Sequence, residues 1–216
     1  MKLKRALTVQ NVLDYKSTKI QFKGRFYDVF GHPQSKGRWI VVGNSGSGKS
    51  SFMMQLAKEF ARSEKVLYNF LEEDLDDDNV QDRLTLFKMH DVAHNFNMVS
   101  EPIEVLTERL KMRNSAQVII IDSAMYFFRG YTFDKFIEFT RQFPKKLFVF
   151  TAHGKGAHPR TEFETSIYYD ATQKVFVNGF LATNKGRKYG PNGKFFIVWQ
   201  KGFEDLQGKN KELETD

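Results

Sequence analysis

A glycine-rich segment between an apolar run and a helical pattern constrains this chain more than any other feature. The segment reads Gly43-Asn-Ser-Gly-Ser-Gly-Lys-Ser50 and fits the pattern G-x-x-x-x-G-K-[ST]. The apolar residues 39–42 before it predict a buried strand, and the apolar residues after it, from Met53 to Phe60, have helical spacing. The sequence therefore predicts a strand, a phosphate-binding loop and a helix in direct succession.

Each residue type in this loop suits the binding of a nucleotide's phosphates. Glycines allow a tight turn whose N–H groups point inward, at the positive end of the helix dipole. We expect Lys49 to bridge the β- and γ-phosphates of ATP, and the Ser50 hydroxyl to coordinate Mg²⁺. The predicted cofactor-binding residues are Gly43, Asn44, Ser45, Gly46, Ser47, Gly48, Lys49, Ser50 and Ser51. The alternative is a surface turn that ends in Lys-Ser, which the strand and helix on either side disfavour.

The composition indicates one domain in a reducing compartment. The chain has 216 residues, of which 41% are hydrophobic, enough for one core and few for two. We predict a single domain over residues 1–206, in which residues 1–37 form the short strands of an edge hairpin. Residues 207–216 are expected to be a charged, disordered tail. Because the sequence has no cysteine, we expect neither disulfides nor a thiolate zinc site.

No targeting or membrane-spanning pattern is visible in the sequence. The first five residues include three basic ones, but no apolar core of signal-peptide length follows them. No apolar run approaches the length of a membrane span, so we expect a cytoplasmic protein without a membrane partner. The formal net charge of +7 is compatible with a polyanionic partner, and a solvated basic surface explains it equally well.

Strand and helix patterns alternate through the middle of the chain. Apolar runs at residues 66–71, 118–121 and 146–152 predict buried strands, and the segments between them predict helices. After residue 174 the pattern changes to short strands around a turn at residues 189–193. We therefore predict an α/β fold with a mainly parallel sheet flanked by helices, and with antiparallel C-terminal strands.

Polar residues follow each predicted core strand, at the edge where a doubly wound sheet holds its ligands. Glu72 and Glu73 follow the second strand, Asp122 the third and His153 the fourth. We expect Asp122 to belong to the Mg²⁺ shell opposite Ser50, and His153 to donate a hydrogen bond to the γ-phosphate. A strand-end aspartate or histidine can also be an ordinary satisfied polar residue.

Hydrolysis needs a base that orients the attacking water, and a carboxylate at a neighbouring strand end is placed for that role. Glu72 is the first choice and Glu73 the second. In the alternative interpretation both glutamates belong only to the acidic run that continues to Asp78 and caps the next helix.

Four segments together resemble the RecA/RadA/DnaB class of oligomeric P-loop ATPases. They are Gly43-Asn-Ser-Gly-Ser-Gly-Lys-Ser50, Val66-Leu-Tyr-Asn-Phe-Leu-Glu-Glu73, Ile119-Ile-Ile-Asp-Ser123 and Phe148-Val-Phe-Thr-Ala-His153. A fifth, Lys185-Gly-Arg-Lys-Tyr-Gly-Pro-Asn-Gly193, resembles the K-x-R-x-x-G-P-x-G hairpin that reaches the neighbouring subunit's nucleotide in that class. The resemblance covers roughly residues 36–200 and is closest to small stand-alone ATPases of phages and mobile elements.

This resemblance implies a role for each matching residue. Lys49 and Ser50 would bind phosphate and magnesium, and Glu72 would activate water. Asp122 would belong to the metal shell and His153 would sense the γ-phosphate. Lys185 and Arg187 would act in trans as an arginine-finger pair, with side chains on one face of an extended strand. The alternative for this pair is ordinary surface charge on a hairpin.

The leading functional hypothesis is an ATP hydrolase that assembles into a ring or filament, with a hexamer as the expected form. Its partner would be single-stranded DNA, contacted through loops 124–132 and 154–163. Phe127 and Phe128 beside Arg129 could stack on bases, but an aromatic pair after a core strand is more often buried.

The alternative function is a nucleotide-dependent switch or assembly module that moves no DNA. A small-molecule kinase built on the same loop is less favoured, because the sequence carries neither an acceptor-site motif nor an arginine-rich lid.

Overall fold

The computed structural model describes residues 5–213, with side chains described as far as residue 206. Helices and strands alternate from the first core strand onward. The helices are α1 Val9–Leu13, α2 Gly24–Phe30, α3 Lys49–Ala61, α4 Asp78–Leu86, α5 Ile103–Lys111, α6 Ala124–Phe127, α7 Phe133–Gln142, α8 Glu162–Asp170 and α9 Gln200–Leu213, with a 3₁₀ turn at Met89–Val92. The strands are β1 Gly37–Gly43, β2 Val66–Phe70, β3 Phe96–Val99, β4 Val118–Asp122, β5 Leu147–Lys155, β6 His158–Pro159, β7 Gln173–Asn178, β8 Leu181–Asn184 and β9 Phe195–Ile197.

One sheet runs through the molecule in the order β3-β2-β4-β5-β1-β7-β8-β9, and β6 pairs with the end of β5. The strands from β3 to β7 are parallel, whereas β8 and β9 join antiparallel at one side. The predicted α/β class, the mainly parallel sheet and the antiparallel C-terminal strands are therefore confirmed. Because β1 lies in the middle, its carboxyl end opens between β5 and β7, where a parallel sheet holds ligands.

Apolar side chains cover both faces of this sheet. The four central strands are buried along most of their length, as their continuous apolar sequences require. Trp39 and Val41 point to the layer that contains α2 and α3, and Ile40 and Val42 to the layer that contains α5 and α7. Each large side chain that is fully buried in these layers contributes about 1.5 to 3 kcal/mol. The two layers fix the strand ends that carry the polar residues.

The N-terminal part differs from the predicted edge hairpin. Residues 24–30 form helix α2, and only an isolated bridge joins Lys19 to Gln34. The physical reason is the spacing of Phe26, Val29 and Phe30, which places all three on one helical face against the core. The prediction of short strands over residues 1–37 was wrong for the described part of this segment, and residues 1–4 lie outside the described residues.

The C-terminal end also differs from the prediction. Helix α9 covers Gln200–Leu213, although a disordered tail was predicted from residue 207. Trp199, Phe203 and Leu206 have the spacing of one helical face and give this segment a reason to be helical. Residues 214–216 lie outside the described part of the chain. That residues 1–206 fold as one unit stays a prediction.

Candidate functional site

The phosphate loop lies between the end of β1 at Gly43 and the start of α3 at Lys49. Gly48 precedes the helix with a left-handed backbone, φ 91°, and a Cβ atom there would lie 2.8 Å from the Phe180 ring. Only glycine meets both demands, because other residues avoid this conformation and would collide with the ring. The Ser47 carbonyl accepts a hydrogen bond from the Phe180 N–H at 3.0 Å. The turn after β7 therefore holds the loop from the side.

Two polar side chains of the loop are buried without partners in the described part of the chain. Lys49 is only 8% exposed, and among the residues whose side chains are described, 5–206, no carboxylate or carbonyl oxygen hydrogen-bonds its ammonium group. The Ser47 hydroxyl is likewise buried and unpaired. A lysine is rarely this buried unless an anion accompanies it. The loop thus presents a cation and a hydroxyl to a ligand that supplies acceptors.

The other predicted loop residues lie at its rim. Ser45 and Gly46 are exposed, and Asn44, Ser50 and Ser51 are half-buried. Ser50 and Ser51 stand in the first turn of α3, where their N–H groups have no intrahelical acceptor. This arrangement leaves backbone donors free for an anion at the helix start.

Glu72 and His153 meet at the same edge of the sheet. A Glu72 carboxylate oxygen lies 3.0 Å from His153 Nε2, and both side chains remain partly exposed. His153 pairs in register with Gly43, the first residue of the phosphate loop. A Cβ atom on the next residue, Gly154, would lie 2.7 Å from the Asn44 side chain. The predicted base and the predicted γ-phosphate sensor therefore contact each other beside the loop.

A buried carboxylate that sequence reasoning missed positions His153. Glu164 is fully buried, and its carboxylate accepts hydrogen bonds from the His153 N–H at 3.3 Å and from the Thr161 hydroxyl at 2.9 Å. Thr161 and Glu164 also form the capping box of α8. The threonine and glutamate three residues apart were a visible signal of a helix start, but not of a contact with His153.

Glu73, the second candidate for the base, has a different partner. Its carboxylate forms an ion pair with Arg83 of α4. Asp77 caps the same helix by accepting a hydrogen bond from the Asn79 N–H at 2.8 Å. The acidic run therefore divides into a residue that faces His153 and residues that organise α4.

Asp122 is held by two hydroxyl groups from neighbouring strands. The buried Tyr68 hydroxyl donates to one carboxylate oxygen at 2.8 Å, and the Thr151 hydroxyl donates to the other. Burial, together with the charge of Asp122 and the hydrogen bond to it, raises the pKa of Tyr68 well above its ordinary value. Tyr68 thus stays a donor, and the carboxylate is fixed in orientation with lone pairs to spare.

The oxygen donors at this edge fit a magnesium ion that a nucleotide brings with it. Mg²⁺ prefers oxygen ligands and keeps several waters, so one or two protein oxygens are sufficient. The Ser50 hydroxyl and the Asp122 carboxylate are such donors, and the described residues contain no cluster of three histidine or acidic side chains that would hold a metal alone. The donor set is that of a metal bound through phosphate.

A cleft of about 440 Å³ adjoins the outer side of the phosphate loop. Its walls combine loop residues 44–47, the turn after β7, and Phe203 and Leu206 of α9. Phe180 packs edge-on against Trp199 at the start of that helix, with ring centroids 5.0 Å apart. The first turns of the C-terminal helix therefore contribute an apolar wall beside the loop, through two residues within the predicted domain 1–206.

Lys185 and Arg187 lie apart from this edge. Both are exposed in the irregular segment after β8 ends at Asn184, and not on an extended strand as predicted. The Lys185 N–H donates to the carbonyl of Lys174, near the start of β7. Burial and the nearby Arg187 charge lower the pKa of Lys174. The structure does not bring the pair to its own phosphate loop.

The two predicted DNA loops are more ordered than expected. Phe127 and Phe128 are buried among the helices beside β4 and β5, which is the favoured of the two interpretations of this pair and leaves them unable to stack on bases. Residues 154–163 contain the short pairing of β5 with β6 and the start of α8. The exposed polar groups that remain at these loops are Tyr126, Arg129, Tyr131, Thr132, Lys155, His158, Arg160 and Glu162.

The strand order, the central β1 and the loop before α3 define a RecA-like α/β fold with mainly parallel strands and an antiparallel side. The chain is similar to the crystal structure of the flagellar accessory protein FlaH from Methanocaldococcus jannaschii, with a TM-score of 0.62 and 17% sequence identity. The match covers 84% of this chain and 94% of that one. At this identity the likeness shows the fold. No protein-family model and no curated protein sequence matches the chain. In the described residues, no helix is both long and apolar enough to cross a membrane.

Proposed function

We propose that this chain binds ATP with Mg²⁺ and hydrolyses it, as a member of an assembly of identical copies. The observation that carries the proposal is the pairing of two groups in one loop: the ammonium of Lys49, a residue only 8% exposed, and the buried hydroxyl of Ser47, which has no partner within the described residues. A phosphate supplies the acceptors that both groups lack. The placement of Glu72 and His153 at the same edge supports hydrolysis rather than binding alone.

In this proposal Glu72 orients the attacking water and accepts its proton, because of the two glutamates after β2 it is the one that contacts His153, whereas Glu73 forms an ion pair with Arg83. His153 holds Glu72 before the nucleotide binds and donates to the γ-phosphate afterwards. Ser50 and Asp122 hold the metal, Asp122 through water. The bound Mg²⁺ would neutralise charge on the β- and γ-phosphate oxygens.

We further propose that Lys185 and Arg187 complete the site of a neighbouring copy. Both are exposed on a hairpin remote from their own loop, which is the placement that a residue acting in trans needs. A ring or filament follows from such a contact, and a hexamer is the form that we favour. By the same resemblance we place the chain near small stand-alone ATPases of phages and mobile elements and assign it to the cytoplasm.

DNA is the partner that we propose for the ATPase, through the exposed residues of loops 124–132 and 154–163. The alternative is a nucleotide-dependent switch that moves no DNA. The burial of Phe127 and Phe128 favours this alternative, because it removes the aromatic contacts that a strand-tracking loop would use. In such a switch α9 would sense the nucleotide, because its apolar residues form a wall beside the phosphate loop.

The test separates binding from hydrolysis and from DNA. Lys49→Ala should abolish ATP binding, measured by calorimetry with Mg²⁺, because it removes the only side-chain cation of the loop. Lys145→Ala, at an exposed position on the far side of the sheet, is the control and should bind as the wild type does. Wild-type binding by Lys49→Ala would overturn the site.

The wild type is then assayed for turnover with and without single-stranded DNA. Stimulation by DNA supports the DNA-directed ATPase. Unstimulated turnover, together with a mass that changes when a slowly hydrolysed ATP analogue is added, selects the switch.

A further inference from the structure

A basic groove lies on the α2–α3 side of the molecule, away from the phosphate loop. Two adjoining clefts of about 560 and 440 Å³ share Lys23, Lys58 and Arg62 and together form this groove. Its cationic residues are Lys23, Arg25, Lys58, Arg62 and Lys88, and its carboxylates are Glu59 and Asp91. The groove therefore carries an excess of positive charge that the proposed ATPase chemistry does not use.

The groove is built from three elements. Its floor is one face of α3, with Gln55, Lys58, Glu59 and Arg62 at helical spacing. Residues 23–26 at the start of α2 form one wall, and residues 86–88 at the end of α4 form the other. Lys58 stands nine residues after Lys49, so the groove lies about 14 Å along α3 from the phosphate loop at 1.5 Å per residue. It is a separate surface.

Three of the five cations have structural partners that account for them. The Lys58 ammonium donates to the carbonyls of Phe87 and Lys88 at 2.9 Å each, and to the Asp91 carboxylate at 2.7 Å. Arg62 pairs with Glu59 at 2.8 Å. Arg25 donates to Gln55 and stacks over the Phe196 ring. Both carboxylates of the groove are thus engaged with cations that belong to the fold.

Lys23 and Lys88 are different. Both are exposed on opposite walls, and among the residues whose side chains are described, 5–206, neither ammonium group has a hydrogen bond or ion pair. Lys88 also has a left-handed backbone, φ 50°, a conformation that is uncommon for a residue with a Cβ atom and is typical of glycine at a helix end. The Lys58 ammonium holds the carbonyls on both sides of this turn. The chain therefore places an unpaired lysine where glycine would fit better.

We propose that this groove binds the sugar–phosphate backbone of single-stranded nucleic acid. The floor from Gln55 to Arg62 is about 10 Å long at 1.5 Å per residue, and Lys23 and Lys88 stand on its opposite walls. Lys23 and Lys88 contact phosphates from the two walls, and Leu86, 69% exposed beside them, offers apolar contact to a sugar or base. The net charge of +7 favours the same class of partner. The inference goes beyond the proposed function, because it needs neither ATP nor the loops after Asp122 and His153.

The test measures binding of fluorescent oligothymidylate and oligouridylate to the full chain, without ATP, over a range of salt concentrations. Lys23→Gln/Lys88→Gln should weaken binding at least about tenfold at low salt, because two charge-assisted contacts are lost. In a plot of log K against log salt, the magnitude of the slope should decrease by about 1.4, because each of the two lost phosphate contacts contributes about 0.7. Lys16→Gln/Lys145→Gln, which removes the same charge from exposed positions outside the groove, should keep the wild-type slope.

A second variant guards against a folding artefact. Lys88→Gly relieves the left-handed backbone, so the melting temperature of this variant should not fall. Its affinity for the oligonucleotide should fall. A parallel variant, Arg129→Ala/Lys155→Ala/Arg160→Ala, removes cations from the strand-end loops. Comparing its affinity with that of the groove variant shows which of the two surfaces binds the oligonucleotide. Equal affinities of the groove double variant and the Lys16/Lys145 control would overturn the proposal. Binding of polyglutamate but of neither oligonucleotide would also overturn it and identify an acidic protein segment as the partner.

Discussion

The two ends of the sheet use their polar residues in opposite ways. At the carboxyl end of the parallel strands, side chains from separate strands bind one another: Glu72 contacts His153, and Asp122 accepts from Tyr68 and Thr151. At the other end, the hairpin after β8 is organised by a single buried side chain that turns its cations outward. The first end brings polar groups from several strands of one chain together, whereas the second leaves its cations exposed.

Asn184 is the side chain that organises the hairpin. Its amide nitrogen donates to the carbonyls of Val29 and Tyr189 at 3.0 and 2.8 Å, and its oxygen accepts from the Gly186 N–H at 2.8 Å. Gly190 packs so closely on α2 that a Cβ atom there would overlap the Val29 carbonyl oxygen. The hairpin is thus fixed to its own subunit at its base, and a fixed base lets an exposed side chain reach a defined place on another copy.

The register shows why this charge cannot serve its own loop. Lys185 bonds to Lys174, which lies level with Ile40, three residues before Gly43. At about 3.3 Å per residue this is about 10 Å along the strands, and β8 lies two strands from β1, about 10 Å across. The comparison separates the groups that we propose for metal and water, which lie at one end of the chain's own sheet, from the cations that we propose to act in trans.

The largest effect that we expect is from Arg187→Ala. Because an arginine finger stabilises charge only in the transition state, ATP binding should be unchanged while turnover falls about 10³- to 10⁵-fold. Measured over a range of protein concentrations, wild-type specific activity should rise as copies assemble, and that of the variant should stay flat. Lys194→Ala, a cation farther along the same hairpin, is the matched control and should retain turnover.

Mixing gives a sharper form of this test. A mixture of the Arg187→Ala protein and the Lys49→Ala protein should recover part of the activity. At a mixed interface, the intact phosphate loop of the Arg187→Ala copy meets the intact Arg187 of the Lys49→Ala copy. Equal specific activity of the wild type at all concentrations, with a monomeric mass in ATP, would exclude a finger in trans and would make the two ends of the sheet independent.

The next effect in size concerns the carboxyl end. Glu72→Gln keeps the shape and a hydrogen bond to His153 but cannot accept a proton, so turnover should fall about 10²- to 10⁴-fold with ATP affinity near normal. Glu73→Gln is the matched control, because Glu73 pairs with Arg83 and should affect α4 more than chemistry. Single-turnover assays with each variant separate the two glutamates. Full activity in Glu72→Gln together with loss in Glu73→Gln would reverse the assignment.

The sequence could predict what depends on local pattern. The loop from Gly43 to Ser50 was visible because its strand, glycines and helix are consecutive, and the residues ending each strand were visible because parallel strands end at one edge. The partners of Asp122 were not visible in the sequence. They depend on β4 lying between β2 and β5, and the order of strands in a sheet cannot be predicted from a local pattern. Tyr68 and Thr151 therefore read as ordinary strand residues.

Short aromatic segments were harder to predict. Phe26, Val29 and Phe30 fit a helix, but the short run between Lys and Gly residues also fits the pattern of a strand, which the structure does not form. Phe127 and Phe128 follow a strand that ends in aspartate, where the sequence allows both a ligand contact and burial, and the helices packed beside β4 bury them. In both cases the deciding contact comes from an element distant in sequence, which single-sequence patterns do not contain.

The smallest effect concerns what holds the carboxyl end in place. In the folded chain the buried Tyr68 keeps its proton, because burial and Asp122 raise its pKa, whereas in the unfolded chain it titrates near 10. The stability that this proton provides is full below pH 10 and is lost as the pH rises further, by about 1.4 kcal/mol per pH unit for one group. Tyr68→Phe should lower the free energy of unfolding by about 1.5 kcal/mol near pH 7, because a hydrogen bond to a charged group is lost. Above pH 10 the stability of this variant should decline less steeply than that of the wild type. Denaturant unfolding of both proteins across this range isolates Tyr68, because the other tyrosines and the lysines titrate in both. Parallel curves above pH 10 would mean that Tyr68 is not the donor to Asp122.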